Sequence, residues 1–142
     1  MITYQIKHFV FSSSISVHGM PYKDQLQEIY VPFPVVFQGN SKLIIEQALE
    51  DFYKAYDLRY MSLHYHNAIG AHTDGKIGED HRPETHIVPN VLLHIVKKQE
   101  ESFMIDGGYG TKDGSAVGDY VHVMDVAKAH VLALHSLLDS SV

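Results

Sequence analysis

The sequence predicts an α/β domain built on a mostly parallel sheet, and three observations carry that expectation. Two short runs, KHFVFSSS (residues 7–14) and LRYMSLHY (residues 58–65), are apolar, β-branched or aromatic with little alternation, as strands buried on both faces are. A helical stripe lies between them, with Ile45, Leu49, Phe52 and Tyr56 at offsets of four, seven and eleven. A second helix, strand and helix then follow, so the order is strand, helix, strand, helix, strand, helix. In such sheets ligands lie at the carboxyl ends of strands, which makes the polar residues after each run the first place to look for a site.

Taken in order, the first strand ends in Ser12, Ser13 and Ser14. A connection containing Pro21, Pro32 and Pro34 leads to a helix over Ser41–Tyr56. The second strand delivers HNAIGAHTDGKIGEDHRPETH, a stretch too rich in Gly, Asp and His for regular structure, and loops of this length in a compact domain are usually functional. VPNVLLHIVKKQ reads as a helix, SFMI as a short strand and DGGYGTKDGS as a glycine-rich turn. DYVHVMD reads as a strand running into a helix that Asp125 starts, with Ala127, Val131, Leu134 and Leu138 on one face.

At 142 residues the chain fits one domain. Its 45% hydrophobic and 20% charged content is that of an ordinary globular protein, and no segment approaches the roughly 20 apolar residues that span a membrane. The start carries one early lysine and no long apolar run, so no secretory leader is expected and the expected location is cytoplasmic. Zero cysteines excludes disulfides and thiolate metal sites. A formal charge of −6, without clustered Lys and Arg, argues against a nucleic-acid surface.

Four stretches, FVFSSSISVHG, GNSKLIIEQ, LHYHNAIGAHTDGKIGEDHRPETHIVP and YGTKDGSAVGDYVHVMDVAKAHVLAL, follow one another as in the UDP-glucose 4-epimerase family of extended short-chain dehydrogenases/reductases. The resemblance covers almost the whole chain but only a middle section of that enzyme. It implies a partial Rossmann-like parallel sheet, the second part of an NAD-binding domain, with part of a small α+β substrate domain. The expected division is residues 1–66 for the strand-helix-strand part, 67–118 for the substrate part and 119–142 for a strand and helix returning to the sheet. The implied chemistry interconverts UDP-glucose and UDP-galactose through a transient 4-keto sugar, with NAD taking and returning the hydride. A tyrosine removes the sugar hydroxyl proton, and a lysine four residues later lowers its pKa and holds the nicotinamide ribose. That pairing has its own physical logic: a phenol with pKa near 10 is a poor base until an ammonium favours its phenolate, and positions i and i+4 share a helix face.

By resemblance, Ser14 matches the catalytic serine and Lys42 the lysine, while Ser12, Ser13 and Tyr65 lie against the cofactor. Asn67 matches the asparagine that binds the UDP-sugar, with His64 and His66 in place of the arginine and phenylalanine of that motif. His86 and Ile87 line the sugar-nucleotide pocket, and Ile105 stands where a phenylalanine packs on the uracil. Two positions depart from the pattern. Gln38 occupies the tyrosine's place, and its amide is no base near neutral pH; loss of a positioned base costs about 10²- to 10⁴-fold in rate. Gly118 occupies the place of the arginine that grips the phosphates, a contact of roughly 1.5 to 3 kcal/mol per hydrogen bond. No Gly-x-x-Gly-x-x-Gly is present for the pyrophosphate.

The resemblance therefore implies a truncated, inactive member of the family. The alternative is a catalytically dead module that binds a nucleotide sugar or a protein, and a homodimer is left open. The eleven histidines invite a metal reading, with His64 and His66 on one strand face and His72, His81 and His86 in the next loop. Zinc needs three or four converging ligands. Several of these positions are histidine or polar in the resembled family as well, without a metal there, so no metal is expected.

Overall fold

The structure, a computed structural model, describes residues 1–19, 26–97 and 108–139. The chain packs as two units, Met1–His66 with Asp125–Val142, and Asn67–Met124.

In the first unit, β1 (His8–Ser12) and β2 (Arg59–Leu63) pair in parallel, with His8 opposite Arg59 and Ser12 opposite Leu63. Parallel neighbours need a crossover, and α1 (Phe37–Tyr56) supplies it. The helix begins where Val36 leaves extended backbone, two residues after Pro34, so it starts four residues earlier than its apolar stripe suggests. It ends at Asp57, whose φ of 56° is left-handed and whose N–H reaches Tyr53 O at 2.9 Å. Lys7 Nζ donates to Tyr56 O at 2.8 Å, a cation on the helix's last carbonyls. Leu58 is then 3% exposed as the chain enters β2.

The core of this unit is small: among the described residues, Val17, Leu49, Leu58 and Ala133 are its buried apolar residues. Of the expected stripe on α1 only Leu49 is buried; Ile45, Phe52 and Tyr56 are exposed, with the Phe52 and Tyr56 rings 5.7 Å apart. Gly39 instead brings the helix close to the 3-10 turn Ile15–His18, since a Cβ there would stand 2.3 Å from Ser16 O. Tyr60 of β2 donates to Glu50 of α1 at 2.9 Å, and Glu50 also pairs with Lys54.

α3 (Val123–Leu138) starts two residues before Asp125, which lies in its first turn and pairs with Lys128 at 3.2 Å. The expected face of Ala127, Val131, Leu134 and Leu138 is exposed. The face turned inward is one position round, Val126, His130, Ala133 and Leu137, at spacings of four, three and four. The reason is polar: His130 is tied to Ser12 of β1 by a hydrogen bond, with its ring oriented by a second bond to Val126 O of its own helix, and this turns the helix away from its larger apolar residues.

The second unit holds a two-residue parallel ladder, β3 (Ala68–Ile69) with β4 (Val121–His122); β4 lies within the strand expected over DYVHVMD but pairs with β3, which the sequence did not suggest, and not with the β1–β2 sheet. Gly70, at φ 98°, permits it, because a Cβ there would lie 2.5 Å from His122 Nε2. α2 (Ile87–Val96) follows the long loop as expected, and the turn around Asp113 is held by its carboxylate on Ser115 and Thr111. Residues 102–105, expected as a strand, lie outside the described residues, as does Pro21. No helix among the described residues is long and apolar enough to cross a membrane.

Two measurements check this packing. Gly39→Ala should raise intrinsic helix propensity by up to about 1 kcal/mol, yet lower stability in urea unfolding by about 1–3 kcal/mol net, because the contact is with backbone and cannot move aside. Tyr60 is raised to about 12 by burial first and by its bond to Glu50 second. A raised folded value means this contribution is present below about pH 10 and is lost as pH rises towards 12. Circular-dichroism melts of wild type should fall across that window, and those of Tyr60→Phe should fall less.

Candidate functional site

The parallel register brings the carboxyl ends of β1 and β2 side by side, and five of the expected residues, Ser12, Ser13, Ser14, Lys42 and Tyr65, gather there. Ser12 lies at the end of β1. His130 Nδ1–H donates to Val126 O at 2.8 Å, so a neutral His130 presents Nε2 as an acceptor, and the Ser12 hydroxyl donates to it at 2.6 Å. The Ser12 carbonyl accepts from Lys42 Nζ at 2.7 Å. The same ammonium sits 5.0 Å over the Phe11 ring, a cation–π contact that holds it against the strand. Tyr65 follows β2; its carbonyl accepts from Ile15 N at 3.2 Å and its ring meets His130 edge-on at 6.2 Å.

Ser14 is 6% exposed and caps the 3-10 turn that follows β1. Its Oγ accepts from Ser16 N at 3.2 Å and from Ser16 Oγ at 2.8 Å. Both bonds use its lone pairs and leave its own O–H to donate.

Ser13 opens a buried chain that the sequence did not reveal. Its hydroxyl donates to Glu46 Oε1, which also takes His64 Nε2–H at 2.7 Å. With a carboxylate accepting at Nε2, a neutral His64 presents Nδ1 as an acceptor, and His18 Nε2–H donates to it at 3.1 Å. The two rings are T-shaped at 5.1 Å, and His18 Nδ1 is buried without a partner among the described residues. No local motif signals this chain, because its members are 13, 18, 46 and 64 in sequence. One clue was available: His64 stands where the resembled motif has an arginine, and Glu46 is the anion that such a cation would face.

Gln38 lies in the exposed first turn of α1, where its carbonyl accepts from Ser41 Oγ at 2.8 Å. The i, i+4 spacing to Lys42 is kept on one helix, but position 38 brings no titratable group to it.

The remaining expected residues belong to the second unit. Asn67 O accepts from Val121 N at 3.2 Å, continuing the β3–β4 ladder. Gly118 is close-packed: a Cβ would lie 3.0 Å from Asn67 Nδ2 and 3.2 Å from Tyr120 Cε2, so a side chain here would press on both. His86 caps α2, and its Nδ1–H donates to Glu79, which raises its pKa; partial desolvation opposes. Glu84 is held below the usual carboxylate range chiefly by the N–H of His86. Ile87 is the exposed first residue of α2, and Ile105 lies outside the described residues.

His64→Ala should leave His18 Nε2 without its partner and remove one of the two hydrogen bonds of the part-buried Glu46 carboxylate. Leaving such a group unsatisfied costs about 1–3 kcal/mol, so urea unfolding should show a loss of that size, whereas His135→Ala at an exposed position should stay within about 0.5 kcal/mol.

Comparison with known proteins places these residues in context. The model of the NAD dependent epimerase/dehydratase family matches residues 1–140. The UDP-glucose 4-epimerase of Halalkalibacterium halodurans is 41% identical over 137 residues, which cover 96% of this chain and 41% of that protein. Among solved structures, a UDP-glucose 4-epimerase superposes with a TM-score of 0.89 at 38% identity, over 99% of this chain and 43% of the other. The Bifidobacterium longum UDP-glucose 4-epimerase in complex with NAD+ and UDP superposes with a TM-score of 0.83 at 35% identity, over 92% and 40%. The chain thus spans about two-fifths of the length of the relatives it matches. With the family model matched along nearly all of its residues, the chain belongs to the NAD-dependent epimerase/dehydratase family.

Proposed function

We propose that this chain is a section of a UDP-glucose 4-epimerase scaffold that keeps part of the wall around the reacting sugar and lacks the base, so that the 142-residue chain by itself does not epimerise. The observation that carries this reading is Gln38, exposed and four residues before Lys42, in the tyrosine's place. Ser14 retains a free O–H to donate to a sugar oxygen, and Lys42 retains two of its three N–H donors beyond the one spent on Ser12. No group at position 38 then accepts the hydroxyl proton.

NAD supplies the hydride acceptor in this family. Lys42, with two N–H donors beyond the one on Ser12, would hold its nicotinamide ribose, and Tyr65 would lie against the cofactor. The 142 residues contain no glycine-rich turn for the pyrophosphate. Binding of NAD to this chain alone is therefore proposed to be weak. On the sugar-nucleotide side, Asn67, His86 and Ile87 are the proposed contacts, and Gly118 offers no charge to the phosphates. A cytoplasmic location and a homodimer belong to the same reading; exposed Ile44, Phe52, Val131 and Leu132 on α1 and α3 support self-association, which sedimentation velocity would detect.

A coupled assay with added NAD should show no interconversion of UDP-glucose and UDP-galactose above a buffer blank, and turnover would overturn the proposal. Gln38→Tyr alone should not restore activity, because Gly118 remains. The second reading, a binding module without turnover, rests on the retained Ser14 and Lys42 donors. Micromolar heats with UDP or UDP-glucose in calorimetry would favour it.

A further inference from the structure

Ser12, Ser13 and Ser14 follow one another, yet the fold gives their hydroxyls three different surroundings. Ser13 donates to the Glu46 carboxylate, and a carboxylate is too weak a base to draw off a hydroxyl proton near neutral pH. Ser14 Oγ accepts from Ser16 and meets no base among the described residues. Of the three, Ser12 alone donates to an imidazole nitrogen: its hydroxyl lies 2.6 Å from His130 Nε2.

The His130 ring is set for that partner. Its Nδ1–H goes to Val126 O at 2.8 Å, one turn earlier on α3, so the neutral ring carries its lone pair at Nε2. A main-chain carbonyl here takes the place that a carboxylate has behind the imidazole of a serine triad. Hydroxyl, imidazole and orienting acceptor in this order are the arrangement of an activated nucleophile. The remaining requirement is a donor for the charge that an attacked acyl oxygen gains. Lys42 Nζ, on the Ser12 carbonyl at 2.7 Å, keeps two N–H groups and stands beside the same residue. Ser12 and His130 are both only partly buried, so neither is sealed from a small reagent.

We infer that Ser12 is a nucleophile, with His130 as its general base, toward small carboxylic esters that carry a good leaving group. The bond from Ser12 Oγ to the ester carbonyl carbon forms as the hydroxyl proton passes to His130 Nε2. The ester C–O bond then breaks, and the same proton goes to the departing phenol or alcohol oxygen, which leaves O-acyl-Ser12. Water, deprotonated by His130 in its turn, displaces the carboxylic acid and restores the serine. This activity is distinct from epimerisation, and neither NAD nor position 38 has a part in it. In the sequence the three serines read as one strand-end run, and His130 lies 118 positions from Ser12, so no local motif announces the pair.

The test treats the 142-residue chain with an alkyl fluorophosphonate, which phosphonylates an activated serine as fluoride leaves, and locates the modified residue by tandem mass spectrometry. Label should appear on Ser12 and not on Ser13 or Ser14. His130→Gln leaves an amide oxygen that can still accept the Ser12 hydroxyl but is no base, and it should slow labelling by about 10²-fold or more. p-Nitrophenyl acetate should release p-nitrophenol faster with wild type than with Ser12→Ala. Absence of label, label shared evenly by the three serines, an unchanged rate in a natively folded His130→Gln, or equal p-nitrophenol release by wild type and Ser12→Ala would overturn the inference. The comparison among the three serines is internal to the wild-type chain, so it holds even where a variant misfolds. Neither NAD nor a UDP-sugar enters the assay, so its failure leaves the reading of the epimerase scaffold untouched.

Discussion

The parallel pairing of β1 and β2 is the constraint from which the first unit follows. Two parallel strands cannot be joined by a tight turn, so the chain must return along a crossover, and α1 is that return. The return fixes which ends meet. Carboxyl end lies beside carboxyl end, and Ser12, Ser13, Ser14, His64 and Tyr65 become neighbours although roughly fifty residues separate the two groups. Lys42 and Glu46 sit one turn apart on the crossover itself and reach the same place, one to the Ser12 carbonyl and one to Ser13 and His64.

A small apolar core makes these polar contacts weigh more than they would elsewhere. Four buried apolar residues do not by themselves fix the rotation of two helices. Gly39 against Ser16 sets how near α1 comes to the strand-end turn, and His130 on Ser12 sets which face of α3 turns inward. Both choices are made by hydrogen-bonding and steric fit and not by the larger hydrophobic residues, many of which remain on the surface.

On the proposed reading the site is a scaffold altered at single positions: Ser14 and Lys42 keep their donors, while Gln38 and Gly118 stand where the resembled family has a base and a charge. Gly118 also leaves little room for a side chain, because Asn67 Nδ2 and the Tyr120 ring stand 3.0 and 3.2 Å from where its Cβ would be. His64 does something different again: it keeps a partner for Glu46 but makes it an imidazole, which passes the hydrogen bond on to His18.

The sequence alone determined the alternation of elements, the strand-end serines, the i, i+4 relation of Gln38 and Lys42, and the family. These are readable because each is local or is a contiguous match. It misjudged the packed face of α3 and most of the stripe on α1, since periodicity ranks residues by hydrophobicity and the inward turn of His130 is decided by a serine 118 positions away. β4 falls inside the strand read over DYVHVMD, but its partner β3 was hidden because a two-residue strand has no period to detect. Only the tertiary structure decided that His64 goes with Glu46 and His18 while His81 and His86 go with Glu79 and Glu84. Histidines look alike in a sequence, and what each one does depends on which carboxylate the fold brings to its ring.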